Sequence, residues 1–132
     1  MNANAIASLK GQVRGEVILP GDESYDKART VYNAMIDKRP AIVIRCADVT
    51  DIIAAVKFAR VEGLSVSIRG GGHSVPGFGT ADDALVLDLG KMKGVRVDPV
   101  SKTVYAEGGC TWGDLNHATY GFGLATPGGI IS

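Results

Sequence analysis

Apolar residues run almost unbroken through Ala41-Ile42-Val43-Ile44-Arg45-Cys46, which reads as a short buried strand. The period then changes. Ile52, Val56 and Ala59 fall on one face, with Ile53 and Ala55 widening it, and this predicts a helix over 48–62. Asp48 is placed to cap its N-terminus, Asp51 adds negative charge to its first turn, and Gly63 offers a stop. Leu64-Ser65-Val66-Ser67-Ile68 follows as a second strand, completing a β-α-β unit. Three more short strands are expected near 85–89, 95–98 and 103–106, with a turn at Asp98-Pro99 between the last two. Thr111 and Asp114 have capping-box spacing ahead of a helix over 112–120 that would bury Leu115 and Ala118.

The N-terminal third patterns less regularly. Residues 1–24 read as a lead-in whose Leu9, Val13 and Val17-Ile18-Leu19 can dock on a surface. Tyr25 to Ile36 reads as a helix, with Ala28, Val31, Tyr32 and Met35 near a common core face, ended by Arg39-Pro40. The whole is an α+β pattern, with a lead-in over 1–34 and the main body over 35–132.

Composition narrows the function classes. Fourteen basic residues balance 14 acidic ones, and no Lys/Arg run forms the stripe that nucleic-acid binding needs. No apolar stretch approaches bilayer length, and the N-terminus lacks a charged region followed by an apolar core. Two cysteines are too few for a disulfide framework. These features lead us to expect a cytoplasmic or otherwise soluble protein with no membrane or nucleic-acid partner. Glycine is the unusual component, with 18 residues that lie mostly after position 62.

Those glycines mark two candidate sites. Arg69-Gly70-Gly71-Gly72-His73-Ser74 follows a predicted strand directly. Such a turn lets successive N–H groups face an anion, with Arg69 adding charge and His73 at the rim. The same residues also suit a tight surface turn carrying an incidental histidine. Further on, Gly108-Gly109-Cys110-Thr111 places a thiol just ahead of a helix N-terminus, where positive partial charge favours a thiolate. An inert buried thiol is the alternative. Cys46, inside a strand, reads as a small core residue. Pro127-Gly128-Gly129 supplies one more loop. The glycines open no helix in the dinucleotide pattern, and the lysine of a triphosphate loop is missing.

Taken in order, these motifs resemble the N-terminal flavin-binding part of berberine-bridge-enzyme-like, FAD-linked oxidases with the vanillyl-alcohol-oxidase (VAO/PCMH) fold. The resemblance runs through 69–74, Val75-Pro76-Gly77-Phe78-Gly79, Leu87-Asp88-Leu89 and Met92-Lys93-Gly94. It continues through 108–115 and Gly123-Leu124-Ala125-Thr126-Pro127-Gly128-Gly129. It covers roughly 35–132 and implies an α+β FAD-binding domain: a small β-α-β unit, then a strand-rich subdomain. It implies FAD bound bicovalently, through His73 to the flavin 8α-methyl and through Cys110 to C6. Arg69, Gly70, Gly71, Gly72 and Ser74 would cradle the pyrophosphate, and Gly109, Thr111, Gly128 and Gly129 would line the cofactor.

The implied reaction takes a hydride equivalent from a sugar, alcohol or alkaloid-like substrate and reduces oxygen to hydrogen peroxide. The resemblance assigns no catalytic residue here, because the family's base comes from later regions. The 132 residues therefore read as a partial domain, inactive alone, whose incomplete sheet edge would favour self-association. The alternatives are a non-catalytic flavin- or nucleotide-binding module and an inactive structural fragment.

Overall fold

A computed structural model describes residues 2–129. Its centre is a four-stranded sheet of β1 (Glu16–Ile18), β2 (Ile42–Arg45), β3 (Val66–Arg69) and β4 (Leu85–Asp88), in the order β1-β2-β4-β3. β4 pairs in parallel with both β2 and β3, and β1 runs antiparallel to β2. The β-α-β connection therefore skips one position, which β4 fills.

Side-chain alternation divides the core. Ile42, Ile44, Cys46, Leu85 and Leu87 face one way, against Ala55 and Ala59 of α3 (Val49–Glu62) and Leu9 of α1 (Ala3–Gln12). Val43, Val86 and Ile18 face the other way, against Tyr25 and Ala28 of α2 (Tyr25–Arg29). Ile42, Ile44, Leu85 and Leu87 are essentially inaccessible to solvent, each burial stabilising the fold by about 1.5–3 kcal/mol. The hairpin β5 (Val95–Asp98) and β6 (Thr103–Ala106) forms a separate two-stranded sheet, with α4 (Trp112–Tyr120) packed beside β5.

Local signals acted as expected at α3. Asp48 accepts from the N–H groups of Thr50 and Asp51, and Gly63 closes the helix at φ 68°. The apolar face is rotated from the expected one: Ala55 and Ala59 are buried, whereas Ile53 and Val56 are about half exposed. Small residues sit against the sheet because they allow close helix–strand approach. In α4 the capping box is complete, but Leu115 and Ala118 are only half-buried, and Thr119 is the buried residue.

The lead-in is structured rather than merely docked. Asn2 caps α1 by accepting from Ala5 N–H at 2.7 Å, and β1 completes the sheet edge beside β2. The helix expected over 25–36 stops at Arg29, and its continuation is redirected. In a longer helix the Ala28 carbonyl would accept from Tyr32 N–H. Instead Ala28 O accepts from the Arg69 guanidinium at 2.6 Å, while Tyr32 N–H donates to Gly72 O at 3.1 Å. Both halves of that helical bond are diverted to the glycine loop. Tyr32 and Met35, expected in the core, are 77% and 89% exposed.

Candidate functional site

The parallel strands align their carboxyl ends. Arg45 is level with Asp88, and Asp88 with Arg69. Immediately beyond β3 the chain enters Gly70–Ser74. Among the described residues, the N–H groups of Gly70, Gly71, Gly72, His73 and Ser74 have no protein acceptor. Five successive free amides are the donor set of an anion-binding concavity. Gly72 adopts φ 72°, a conformation that favours glycine. His73 folds back over Gly71, where a Cβ would lie 2.6 Å from the imidazole Cε1. The ring also meets Tyr32 edge-to-face, with centroids 5.2 Å apart. Ser74 steadies the following turn, its hydroxyl accepting from Phe78 N–H at 3.1 Å.

Arg69 departs from the expected arrangement. Its guanidinium is buried and committed to protein acceptors, donating to Ala28 O, Thr30 O and, at 2.9 Å, to the Asp88 carboxylate. Its charge is neutralised within the fold, so it anchors the loop's first residue instead of lining a cradle with positive charge.

Gly108, which opens the Gly108-Gly109-Cys110-Thr111 segment, lies against this loop. A Cβ on Gly70 would sit 2.5 Å from the Gly108 carbonyl oxygen, so backbone meets backbone where the two loops touch. Gly109 packs on the Leu89 carbonyl and donates its N–H to Met92 O at 3.0 Å; Leu89 N–H in turn donates to Arg69 O at 2.8 Å. Leu89 is thus the shared support under both loops. In the sequence Leu89 stands as a strand end and as part of the Leu87-Asp88-Leu89 motif, and neither marks it as a support for the two loops.

Cys110 is half-buried and reduced, with its sulfur 3.5 Å from Gly94 O. It borders a hollow of about 320 Å³ lined by Glu107, Gly108, Thr111, Trp112 and Leu115. The Thr111 hydroxyl is committed to the helix cap: it accepts from Asp114 N–H and donates to the Asp114 carboxylate. That carboxyl is held down at about 2 by the Thr111 backbone N–H, the Thr111 hydroxyl and Lys93. Gly128 packs against the Trp112 indole, which brings 127–129 to the Cys110 side, whereas Gly129 faces open space. Cys46 is the opposite kind of thiol. Burial, then Asp51, Asp88 and Asp48, push it up to about 12.

This site fits FAD. Free amides suit a pyrophosphate, the glycines leave no Cβ in the way, and an imidazole and a thiol border open hollows. Among the described residues, no helix is long and apolar enough to cross a membrane.

The comparisons agree. Residues 40–132 match the model of the FAD binding domain family. The chain is 34% identical over 118 residues to (R)-6-hydroxynicotine oxidase of Paenarthrobacter nicotinovorans, covering 89% of the chain and 26% of that protein. It is 38% identical over 134 residues to the FAD-linked oxidoreductase hasG of Aspergillus fumigatus, covering all of the chain and 28% of that protein. Among solved structures, 6-hydroxy-D-nicotine oxidase of Arthrobacter nicotinovorans superposes with a TM-score of 0.77 at 33% identity. That match covers 84% of this chain and 24% of the oxidase. The berberine-bridge-enzyme-like protein 1 of Physcomitrella patens gives 0.79 at 27% identity, covering 89% and 26%. The chain spans about a quarter of the length of these relatives. It belongs to the FAD-binding-domain family of VAO/PCMH-type flavoproteins, among the berberine-bridge-enzyme-like and other FAD-linked oxidoreductases.

Proposed function

We propose that the chain anchors FAD in an oxidase through two covalent links, His73 to the 8α-methyl and Cys110 to C6 of the ring. The supporting observation is the backbone contact between Gly70 and Gly108, which joins the loops carrying these nucleophiles. Bound FAD supplies the redox chemistry, accepting a hydride equivalent from substrate and passing electrons to oxygen. The chain's own residues bind and orient. The amides of Gly70–Ser74 take the pyrophosphate, Gly109 and Thr111 shape the wall beside Cys110, and Gly128 and Gly129 approach from the Trp112 side. The substrate is a sugar, alcohol or alkaloid-like molecule. The relative named for 6-hydroxynicotine makes the alkaloid-like class the first to assay.

Intact-mass measurement of the denatured, flavin-loaded full-length protein, with peptide mapping, tests the attachment. Cys110→Ala should leave a histidine-linked flavin, His73→Ala a cysteine-linked one, and the double variant only dissociable FAD. An unmodified Cys110 peptide in fully loaded protein would overturn the bicovalent reading. Absence of substrate-dependent peroxide across the three substrate classes would overturn the oxidase reading.

A further inference from the structure

We propose that Tyr32 is a positioning residue for His73, holding the imidazole in the orientation that covalent attachment requires. This rests on the attachment reading above but concerns a residue outside both glycine loops. Segment 28–32 makes four contacts with Arg69 and the loop that follows it. The carbonyls of Ala28 and Thr30 receive the Arg69 guanidinium, Tyr32 N–H holds Gly72 O, and the Tyr32 ring meets the imidazole edge-to-face. Gly71 backs the imidazole from beneath. Tyr32 is 77% exposed and, among the described residues, belongs to neither buried core cluster. Tyr32, Asn33, Ala34, Ser74 and Val75 line the hollow into which His73 opens. The ring is therefore confined by Gly71 and Tyr32 while its remaining edge faces open space.

Attachment forms a C–N bond between an imidazole nitrogen and the 8α carbon. The nitrogen and the carbon each give up one hydrogen. These hydrogens and the electron pair reduce the isoalloxazine ring, and oxygen then takes them as hydrogen peroxide. The step is sensitive to imidazole orientation, because bond formation needs a near-attack geometry.

The test compares Tyr32→Ala and Tyr32→Phe in the full-length protein. Both keep the backbone N–H bond to Gly72, so they isolate the ring. Peptide mapping should show the initial rate of His73 adduct formation falling about five-fold in Y32A, the population change an aromatic pair is worth, and retained in Y32F. The Cys110 adduct should form at the same rate in all three proteins, which separates positioning from general destabilisation. Diethyl pyrocarbonate labelling of the apo-protein gives a readout independent of flavin. Labelling of His73 relative to exposed His117 should rise in Y32A and not in Y32F. Equal His73 attachment and equal labelling ratios in all three proteins would overturn the proposal. If wild-type His73 carries no adduct, the attachment reading fails, and the labelling ratio still decides whether Tyr32 confines the ring. Should Y32A not fold, Tyr32→Leu keeps the bulk without the aromatic pair and is expected to behave like Y32A.

Discussion

Asp51 is the residue whose removal should cost the most for its size. It is fully buried at the start of α3 and accepts three backbone N–H groups from elsewhere. One carboxylate oxygen takes Arg14 N–H at 2.7 Å; the other takes Gly15 N–H at 2.9 Å and Ala47 N–H at 2.8 Å. These bonds fasten the approach to β1 onto the turn between β2 and α3. With about 1.5 kcal/mol for each bond to a charged acceptor, Asp51→Ala should lose about 4–5 kcal/mol. That is a large part of the 5–15 kcal/mol typical of a whole domain. Asp51→Asn should fall between. Its amide oxygen can keep Gly15 and Ala47, but its NH2 then faces the Arg14 N–H donor, a loss of about 2 kcal/mol.

Urea denaturation followed by circular dichroism measures this as a midpoint shift at unchanged slope. For a slope of about 2 kcal/mol/M the alanine variant should shift by about 2 M. The pH dependence has a definite sign. Burial works to raise the Asp51 carboxyl, but the N–H groups of Ala47, Arg14 and Gly15 together bring it below its ordinary 3.8. A lowered folded value stabilises the protein fully above 3.8, and that stability is lost as pH falls through the folded value. The wild type should therefore lose stability on acidification more steeply than D51A. A D51A protein within about 1 kcal/mol of wild type, with the same acid profile, would refute this accounting.

Two further substitutions probe the site and its surroundings. Gly109→Ala would drive a Cβ into the Leu89 carbonyl and to 2.8 Å from Met92 O, both rigid backbone. It should destabilise by about 3 kcal/mol in thermal melts and reduce flavin content, whereas Gly129→Ala, with open space around it, should do neither. Thr80→Val replaces a buried hydroxyl that has no partner among the described residues. It should raise stability by about 1 kcal/mol in the same urea assay, since the isostere removes an unsatisfied group.

Where the determining contacts are local, the sequence was readable. Asp48, Gly63 and the Thr111–Asp114 box act within four residues, and each appears as patterned. Strand positions and the burial of Cys46 follow from short apolar runs in the same way. Reading failed where a side chain's partner is distant. Asp51 resembles any first-turn carboxylate until Arg14 and Gly15 are folded onto it. Arg69 resembles a phosphate ligand until Ala28, Thr30 and Asp88 surround it. The 25–36 pattern is helical in period, yet two long-range hydrogen bonds outcompete one local bond and end the helix early. The contact of Gly70 with the Gly108 carbonyl cannot be read from either motif, because a glycine's missing side chain does not say which backbone will approach it.

The charge network explains why the anchoring loop needs the N-terminal segment. Arg45, Asp88 and Arg69 occupy matching positions at the carboxyl ends of three parallel strands, on the sheet face that covers α2. Glu16 of β1 pairs with Arg45 at 2.9 Å; Arg45 lies 3.9 Å from Asp88, and Asp88 holds Arg69 at 2.9 Å. Two cations alternate with two anions across all four strands, so each of these four charges has an opposite neighbour. Removing β1 or α2 would strip Glu16 from Arg45, or the carbonyls of Ala28 and Thr30 from Arg69. In the second case an incompletely paired, buried guanidinium, that of Arg69, would sit one residue before Gly70, and leaving such a group unpaired costs several kcal/mol. The loop that offers its amides to a phosphate is therefore fixed from behind by segments earlier in the chain. The family match begins only at residue 40, yet the site's rigidity reaches back to β1 and α2. A protein trimmed to the matched region should show this loss first at the His73 loop, not in the hydrophobic core between β2 and β4.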